Sequence, residues 1–226
     1  MNLITSLDLS IRSEIVRALQ SMAALGLNKG SSGNISVRAD AGFYISPTGL
    51  GYADMTPQQI VLLDWDGSYD GDILPSSEWQ FHRDILVERP ELNAVVHTHA
   101  AHATAVSVLG HDIPAIHYMV AAAGGNNIRC ARYETFGSAE LGPSILLALQ
   151  GRGACLMAHH GMIAADTSLA RAMALAVTVE EMAHLYLQVL AIGEPQVLPD
   201  DEMARVLEKF KTYGQQRREG GLRQAV

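Results

Sequence analysis

Between Leu9 and Leu25 the apolar residues Ile11, Ile15, Leu19 and Met22 recur three or four positions apart. That is the period of one helix face, so a first helix is expected, with Asp8 as its N-cap and Gly26 as its stop. The pattern then turns to alternation. NISVR reads as a half-buried strand behind a loop of Gly, Ser and Asn, GFYI as a strand ending in a Pro-Thr-Gly turn, and IVLLD as a third strand. Trp79, Phe81, Ile85 and Leu86 give the next segment a helical apolar side, opened by Glu78 and stopped by Pro90. The run leading into His97 is a strand, AAHATAVSVLG a short helix, and IPAIHYMVAAAGGNN a strand running into a glycine-rich turn. SAELGPSILLALQ is a helix if Pro143 falls in its first turn. ACLMA and MIAA are strands on either side of HHG. A long apolar helix runs from Ser168 to about Ile192, capped by Asp166 or Thr167 and ended by Gly193, and DDEMARVLEKFKTYG is a last helix before a basic tail.

Strands and helices intermingle without the regular alternation of a βαβ barrel, which predicts an α/β fold with a mixed sheet covered by helices on both faces. No composition break divides the 226 residues, so residues 1–226 are expected to form a single domain, with a flexible tail over about 214–226. Glu180, Glu181 and His184 interrupt the long apolar helix, which makes it a core helix and no membrane span.

Composition narrows the partners. Hydrophobic residues make up 48% and charged residues 18%, an ordinary globular balance. A net charge of −8 argues against nucleic acid, whose binding needs clustered Lys and Arg, while leaving room for an anionic small molecule in a locally positive pocket. Cys130 and Cys155 lack CxxC spacing, and MNLITSLDLS has no basic segment before an apolar run. A reducing, cytoplasmic location is expected.

The candidate chemistry centres on PSSEWQFHRDILVERPELNAVVHTH. Side chains two apart on a strand share a face, so His97 and His99 can offer both imidazoles to one point. A third histidine comes from ACLMAHHGMIAA. Neighbours on a strand face opposite ways, so one of His159 and His160 would bind, and spacing does not say which. Two or three His with a carboxylate suit Zn2+ or another divalent cation. A lone histidine is more often a hydrogen-bonded core residue, and it is the combination of HTH, HHG and SSE that points to metal. Three separated loops, GSSGN, PTG and PSS, carry Ser, Thr, Gly and Asn, the neutral donors that a phosphate site without an arginine clamp needs. Any one of them alone would be a surface turn. The loops match neither a P-loop nor a dinucleotide fingerprint.

GNISVR, SPTG, LPSSEW, AVVHTHAAHATAVS, IPAIHYMVAAAGGN and AHHGMIA together resemble the class II aldolase/adducin family, and within it the L-fuculose-1-phosphate aldolases. The resemblance implies a three-layer αβα sandwich around a largely antiparallel central sheet, and a homotetramer with active sites at subunit interfaces. It implies that His97, His99 and His160 bind zinc, with Glu78 as fourth ligand in the resting state. It matches Ser31, Gly33, Asn34, Thr48, Gly49, Ser76 and Ser77 to phosphate-binding positions. Tyr118 and Tyr213 match catalytic positions at the aldehyde end, with Phe136 shaping that side. The implied reaction is reversible cleavage of a ketose 1-phosphate to dihydroxyacetone phosphate and a small aldehyde. The sugar could be L-fuculose 1-phosphate or a 5-deoxy- or 5-methylthioribulose 1-phosphate, since Arg129 and Arg132 depart from the usual pattern and could mark a different distal pocket. A pentulose-phosphate 4-epimerase, a methylthioribulose-1-phosphate dehydratase and a metal-free adducin-like module are the alternatives on this scaffold. Lys29, Lys209 and Lys211 are the only lysines, in a loop and a charged helix. None suits a Schiff-base aldolase, which needs a lysine activated by burial.

Overall fold

The computed structural model describes residues 6–30 and 32–212, so Ser31, Tyr213 and the tail expected over 214–226 lie outside the described residues. The chain runs α1 (Ser6–Ala24), β1 (Asn34–Arg38), β2 (Gly42–Ile45), β3 (Val61–Asp64), α2 (Trp79–Glu88), β4 (Ala94–Thr98) and α3 (Ala101–Val108). It continues through β5 (Ile113–Pro114), a 3-10 turn (Tyr118–Ala123), β6 (Asn127–Ala131), α4 (Leu141–Ala148), β7 (Ala154–Met157), β8 (Gly161–Asp166), α5 (Leu169–Ile192) and α6 (Asp200–Phe210). Among the described residues the strands form one sheet in the order β3-β2-β1-β4-β8-β7-β6-β5. Neighbours are antiparallel except for the parallel pair β6 and β7.

Alternation along each strand divides the apolar residues between two cores. On β4, Ala94 and Val96 face one core and Val95 the other; on β8, Met162 and Ala164 oppose Ile163 and Ala165. The first core is closed by α1, α3, α5 and α6, the second by Phe81, Ile85 and Leu86 of α2 with Leu141, Ile145 and Ala148 of α4. This is the sheet covered on both faces that the intermingled pattern predicts, and the three-layer αβα arrangement that the resemblance implies. α5 is long and apolar enough by composition to cross a membrane. Here it lies over β8, β4 and α3 with Ala172, Ala176, Val179 and Ala183 buried, and its Glu180 carboxylate accepts the backbone N–H groups of His102 and Ala103 at the start of α3. It is a core helix of this fold.

The structure corrects four local expectations. α1 includes Asp8, which accepts a hydrogen bond from the Tyr44 hydroxyl and is not the N-cap. IPAIHYMVAAAGG is strand only at Ile113–Pro114, because His117 accepts the N–H of Met119 and starts a 3-10 turn that ends at Gly124, φ 99°. The expected turn residue Asn127 instead begins β6, held by Asp112, which accepts from the Asn127 amide and the Cys130 N–H. Ser168, not Asp166 or Thr167, caps α5 by accepting the Arg171 N–H. Asp166 is already engaged by the Thr167 N–H and by Arg171.

Candidate active site

Strand register gathers the histidines. His97 on β4 pairs with Asn34 of β1 on one side and Ile163 of β8 on the other. His99 lies just past the end of β4, and Asn28 holds it by accepting its N–H at 2.9 Å. His160 comes from the tight connection between β7 and β8, where His159 takes the left-handed conformation, φ 56°. That strained residue turns the chain so that His160, whose N–H bonds to Met157 O, points back across the sheet end. Gly161 makes the approach possible, since a Cβ there would lie 2.4 Å from Thr98 O and 3.0 Å from the His99 ring.

The three rings stand nearly perpendicular to one another, centroids 4.8 to 5.0 Å apart, and their nitrogens converge within 4.8 Å. Glu78, at the start of α2, closes the group: its carboxylate lies 3.3 Å from His97 Nε2 and 3.1 Å from His160 Nε2, and accepts the Asn34 amide at 2.9 Å. His97 Nδ1 is 3.0 Å from Met162 O and must donate to it, so Nε2 faces the centre as a lone pair. Complete burial pushes His97 down to about 3, which keeps the ring neutral at ordinary pH. Burial tends to raise the Glu78 carboxyl, but His97, His160 and the Asn34 amide outweigh it and hold the carboxyl well below the usual range. The His97 lone pair and an ionised carboxylate thus converge on one point, beside the ring nitrogens of His99 and His160. A divalent cation satisfies such a set, and three histidine nitrogens with one carboxylate are a donor set that zinc accepts. Of the two histidines that spacing left open, His160 joins the cluster while His159 faces Tyr133, 5.8 Å between ring centroids.

The cluster opens into a cleft of about 540 Å³ lined by Ser32, Gly33, Asn34, Pro47, Thr48, Gly49, Ser76, Ser77, Glu78, His99, Tyr133, Glu134, Phe136, His159 and His160. Every expected phosphate position among the described residues lies on this wall. The loops are tied to one another: Thr48 N donates to Leu74 O, Ser76 N to Ser46 O, and the Tyr52 hydroxyl reaches the Ser32 and Gly33 carbonyls. Gly33 has φ 77° and sits so close to His97 O that a Cβ would be 2.6 Å from it. Neutral donors from three fixed loops therefore face the metal-binding group, with no Lys or Arg among the described lining residues. Lys29, Lys209 and Lys211 are all exposed.

Three of the residues singled out in the sequence lie outside this cleft. Tyr118, 45% exposed, lines a separate apolar groove of about 730 Å³ with Val197, Leu198, Val206 and Phe210. Arg129 and Arg132 are outside the cleft too, lining a third pocket with Asp112, Ser144 and Gln150, where Arg129 donates to Gln150 O. Sequence reasoning missed Asn28, Tyr52, His82, Tyr133 and Glu134. Asn28 and Tyr52 act on the backbone of loops and carry no chemical signature. His82 was visible as the residue one helical turn after Glu78, on the same helix face.

The family model "Class II Aldolase and Adducin N-terminal domain" matches residues 13–187. A Rhodospirillum rubrum protein named 5-methylthioribulose-1-phosphate/5-deoxyribulose-1-phosphate aldolase is 55% identical, covering 91% of this chain and 93% of its own. An Escherichia coli L-fuculose phosphate aldolase is 53% identical, covering 89% and 94%. A solved L-fuculose 1-phosphate aldolase superposes with a TM-score of 0.86 at 36% identity, over 89% of this chain and 96% of that one. The chain belongs to the class II aldolase and adducin family.

Proposed function

We propose that the chain is a metal-dependent aldolase that cleaves a ketose 1-phosphate reversibly to dihydroxyacetone phosphate and a small aldehyde. One observation carries the reading: three convergent histidines and an ionised Glu78 stand in the same cleft as three loops of neutral donors. His97, His99 and His160, with Glu78 at rest, would hold the ion, and we assign it as zinc. Bound there, the ion supplies a Lewis acid for the negative charge left on the substrate when its C3–C4 bond breaks.

The chain's own residues do the rest. Gly33, Asn34, Thr48, Gly49, Ser76 and Ser77 offer N–H and O–H donors to the phosphate and fix the substrate's register, with Ser31 assigned beside them. Glu78, ionised at rest and within a hydrogen bond of the Asn34 amide, takes the proton from the hydroxymethyl carbon of dihydroxyacetone phosphate in synthesis, and its protonated carboxyl returns that proton in cleavage. Tyr133, Glu134 and Phe136 flank the cleft's remaining wall, where the aldehyde half would lie.

Tyr118 enters only through assembly. Its exposed phenol and the apolar groove beside it support a homotetramer in which a neighbouring subunit brings Tyr118, and Tyr213 after it, to the aldehyde end, where the C4 hydroxyl proton is taken up in cleavage and returned in synthesis. Relatives named for fuculose phosphate and for 5-deoxy- and 5-methylthioribulose phosphates stand at nearly equal identity, so both sugar groups are assigned as candidate substrates. The free thiols Cys130 and Cys155, both pushed up by burial, fit a reducing compartment, and we place the enzyme in the cytoplasm. Glu78→Gln tests the central role: it should retain metal on three histidines and lose about 10²- to 10⁴-fold in turnover. Full activity in that variant would reject Glu78 as the proton carrier.

A further inference from the structure

Behind Glu78 lies a buried chain of polar groups that runs past Asn34 to His82 and Ser36, two residues to which the proposed reaction gives no role. Asn34 Nδ2 is 2.9 Å from Glu78 Oε2, Asn34 Oδ1 is 2.5 Å from His82 Nε2, and His82 Nδ1 is 2.7 Å from Ser36 Oγ. His82 and Ser36 are fully buried, and Asn34 is only 5% exposed.

The direction of every hydrogen in this chain follows from its carboxylate end. An ionised carboxylate only accepts, so Asn34 must present its NH2 to Glu78 and its carbonyl oxygen to His82. That oxygen also only accepts, so His82 must carry its proton on Nε2. Its Nδ1 is then an acceptor, and Ser36 donates to it. β1 supplies Asn34 and Ser36 from one face, two residues apart, and α2 with its N-cap supplies His82 and Glu78 four residues apart, so the two elements fix all four groups in register.

We infer that His82 is a positioning residue for catalysis, locking the Asn34 amide with its NH2 toward Glu78 and so holding the Glu78 carboxylate in its reactive orientation. Without the His82 donor the amide is held by the carboxylate alone, and its buried oxygen has lost the partner that fixes it. Turned over, it would set its oxygen against the carboxylate and push Glu78 out of place. The role of Glu78 rests on the function proposed above, and the geometry of the relay does not.

The test compares His82→Gln, which keeps a donor near the Nε2 position, with His82→Phe, which removes it. Steady-state cleavage, metal content and hydrogen exchange of the 15N-labelled Asn34 side-chain amide are measured in each. His82→Phe is expected to keep its metal and a KM within about twofold, while kcat falls about 10- to 100-fold, and His82→Gln to stay within about threefold of the parent. In an Asn34→Ala background, His82→Phe should cost less than about a further twofold, because a residue acting through Asn34 has nothing left to act on. Equal losses in His82→Gln and His82→Phe, or a full additional loss in the Asn34→Ala background, would overturn the inference.

If His82→Phe does not fold, Ser36→Ala leaves the ring in place and removes the donor to Nδ1; it should lower kcat about 3- to 10-fold, and only when Asn34 is present. No loss there overturns the relay. Should the parent enzyme cleave no ketose phosphate, the proposed function fails, and the relay is decided by exchange alone. Asn34 amide hydrogens protected in the parent and in His82→Gln but not in His82→Phe uphold it, and equal protection in all three overturns it.

Discussion

At the scale of single residues, the site is a concentration of buried histidines held neutral, and that has a cost in acid. Burial pushes His82 and His97 from an ordinary 6.5 down to about 3. Below about pH 6.5 the unfolded chain takes up protons at both positions while the folded protein does not, so stability is complete above that pH and declines as pH falls toward 3. Each ring contributes a slope of up to about 1.4 kcal/mol per pH unit. The urea midpoint of metal-free protein should be flat from pH 8 to 7 and fall steadily from 6.5 to 5, with a shallower fall in His82→Gln. A midpoint that does not move over that range would mean the rings are not held as described. The metal group was legible at this scale because HTH, HHG and SSE are chemical signatures. Which histidine of HHG joins it was not, because the answer depends on a left-handed backbone at His159 that no spacing rule contains.

Secondary-structure elements bring the chemistry together by register. β4 sits between β1 and β8, and every residue from Ala94 to Thr98 is buried, so β4 is the rigid axis of the sheet. Ile163, opposite His97 on β8, packs into the core under α2. Ile163→Ala should cost about 2–5 kcal/mol in a denaturant titration by leaving a cavity there. A loss below about 0.5 kcal/mol would show that the core can collapse around the gap. Periodicity revealed α1, α2, α4 and α5 and most of the strands, because their apolar faces meet the two cores directly. It failed at IHYMVAAAGG, where apolar residues line a 3-10 turn. That segment turns at the His117 cap and Gly124, features of backbone conformation that an apolar run does not display.

For the whole molecule, one chain holds a histidine cluster that could bind a metal, the proposed phosphate wall and part of the proposed aldehyde wall, while Tyr118 lines another groove. A shared active site follows if subunits complete one another. In the proposed tetramer, Glu78→Gln and Tyr118→Phe proteins, each impaired alone, should regain activity when dissociated and reassembled together, because some sites then receive an intact Glu78 from one subunit and an intact Tyr118 from its neighbour. No recovery in mixed tetramers shown to exchange subunits would place Tyr118 outside the reaction. Sequence displayed the layers of the fold through mixed alternation and helical periods, yet it could not display which surfaces meet, since an exposed tyrosine beside an apolar groove becomes visible only once the chain is folded.

The most direct test of the aldolase reading is release of dihydroxyacetone phosphate from L-fuculose, 5-deoxyribulose and 5-methylthioribulose 1-phosphates, with and without a chelator, using protein whose metal content has been measured. Release from at least one of them, abolished by the chelator and restored by zinc, is the predicted result, and the order of kcat/KM would name the sugar. Metal-loaded protein that releases none from any of the three, or release that survives complete removal of the metal, would contradict it.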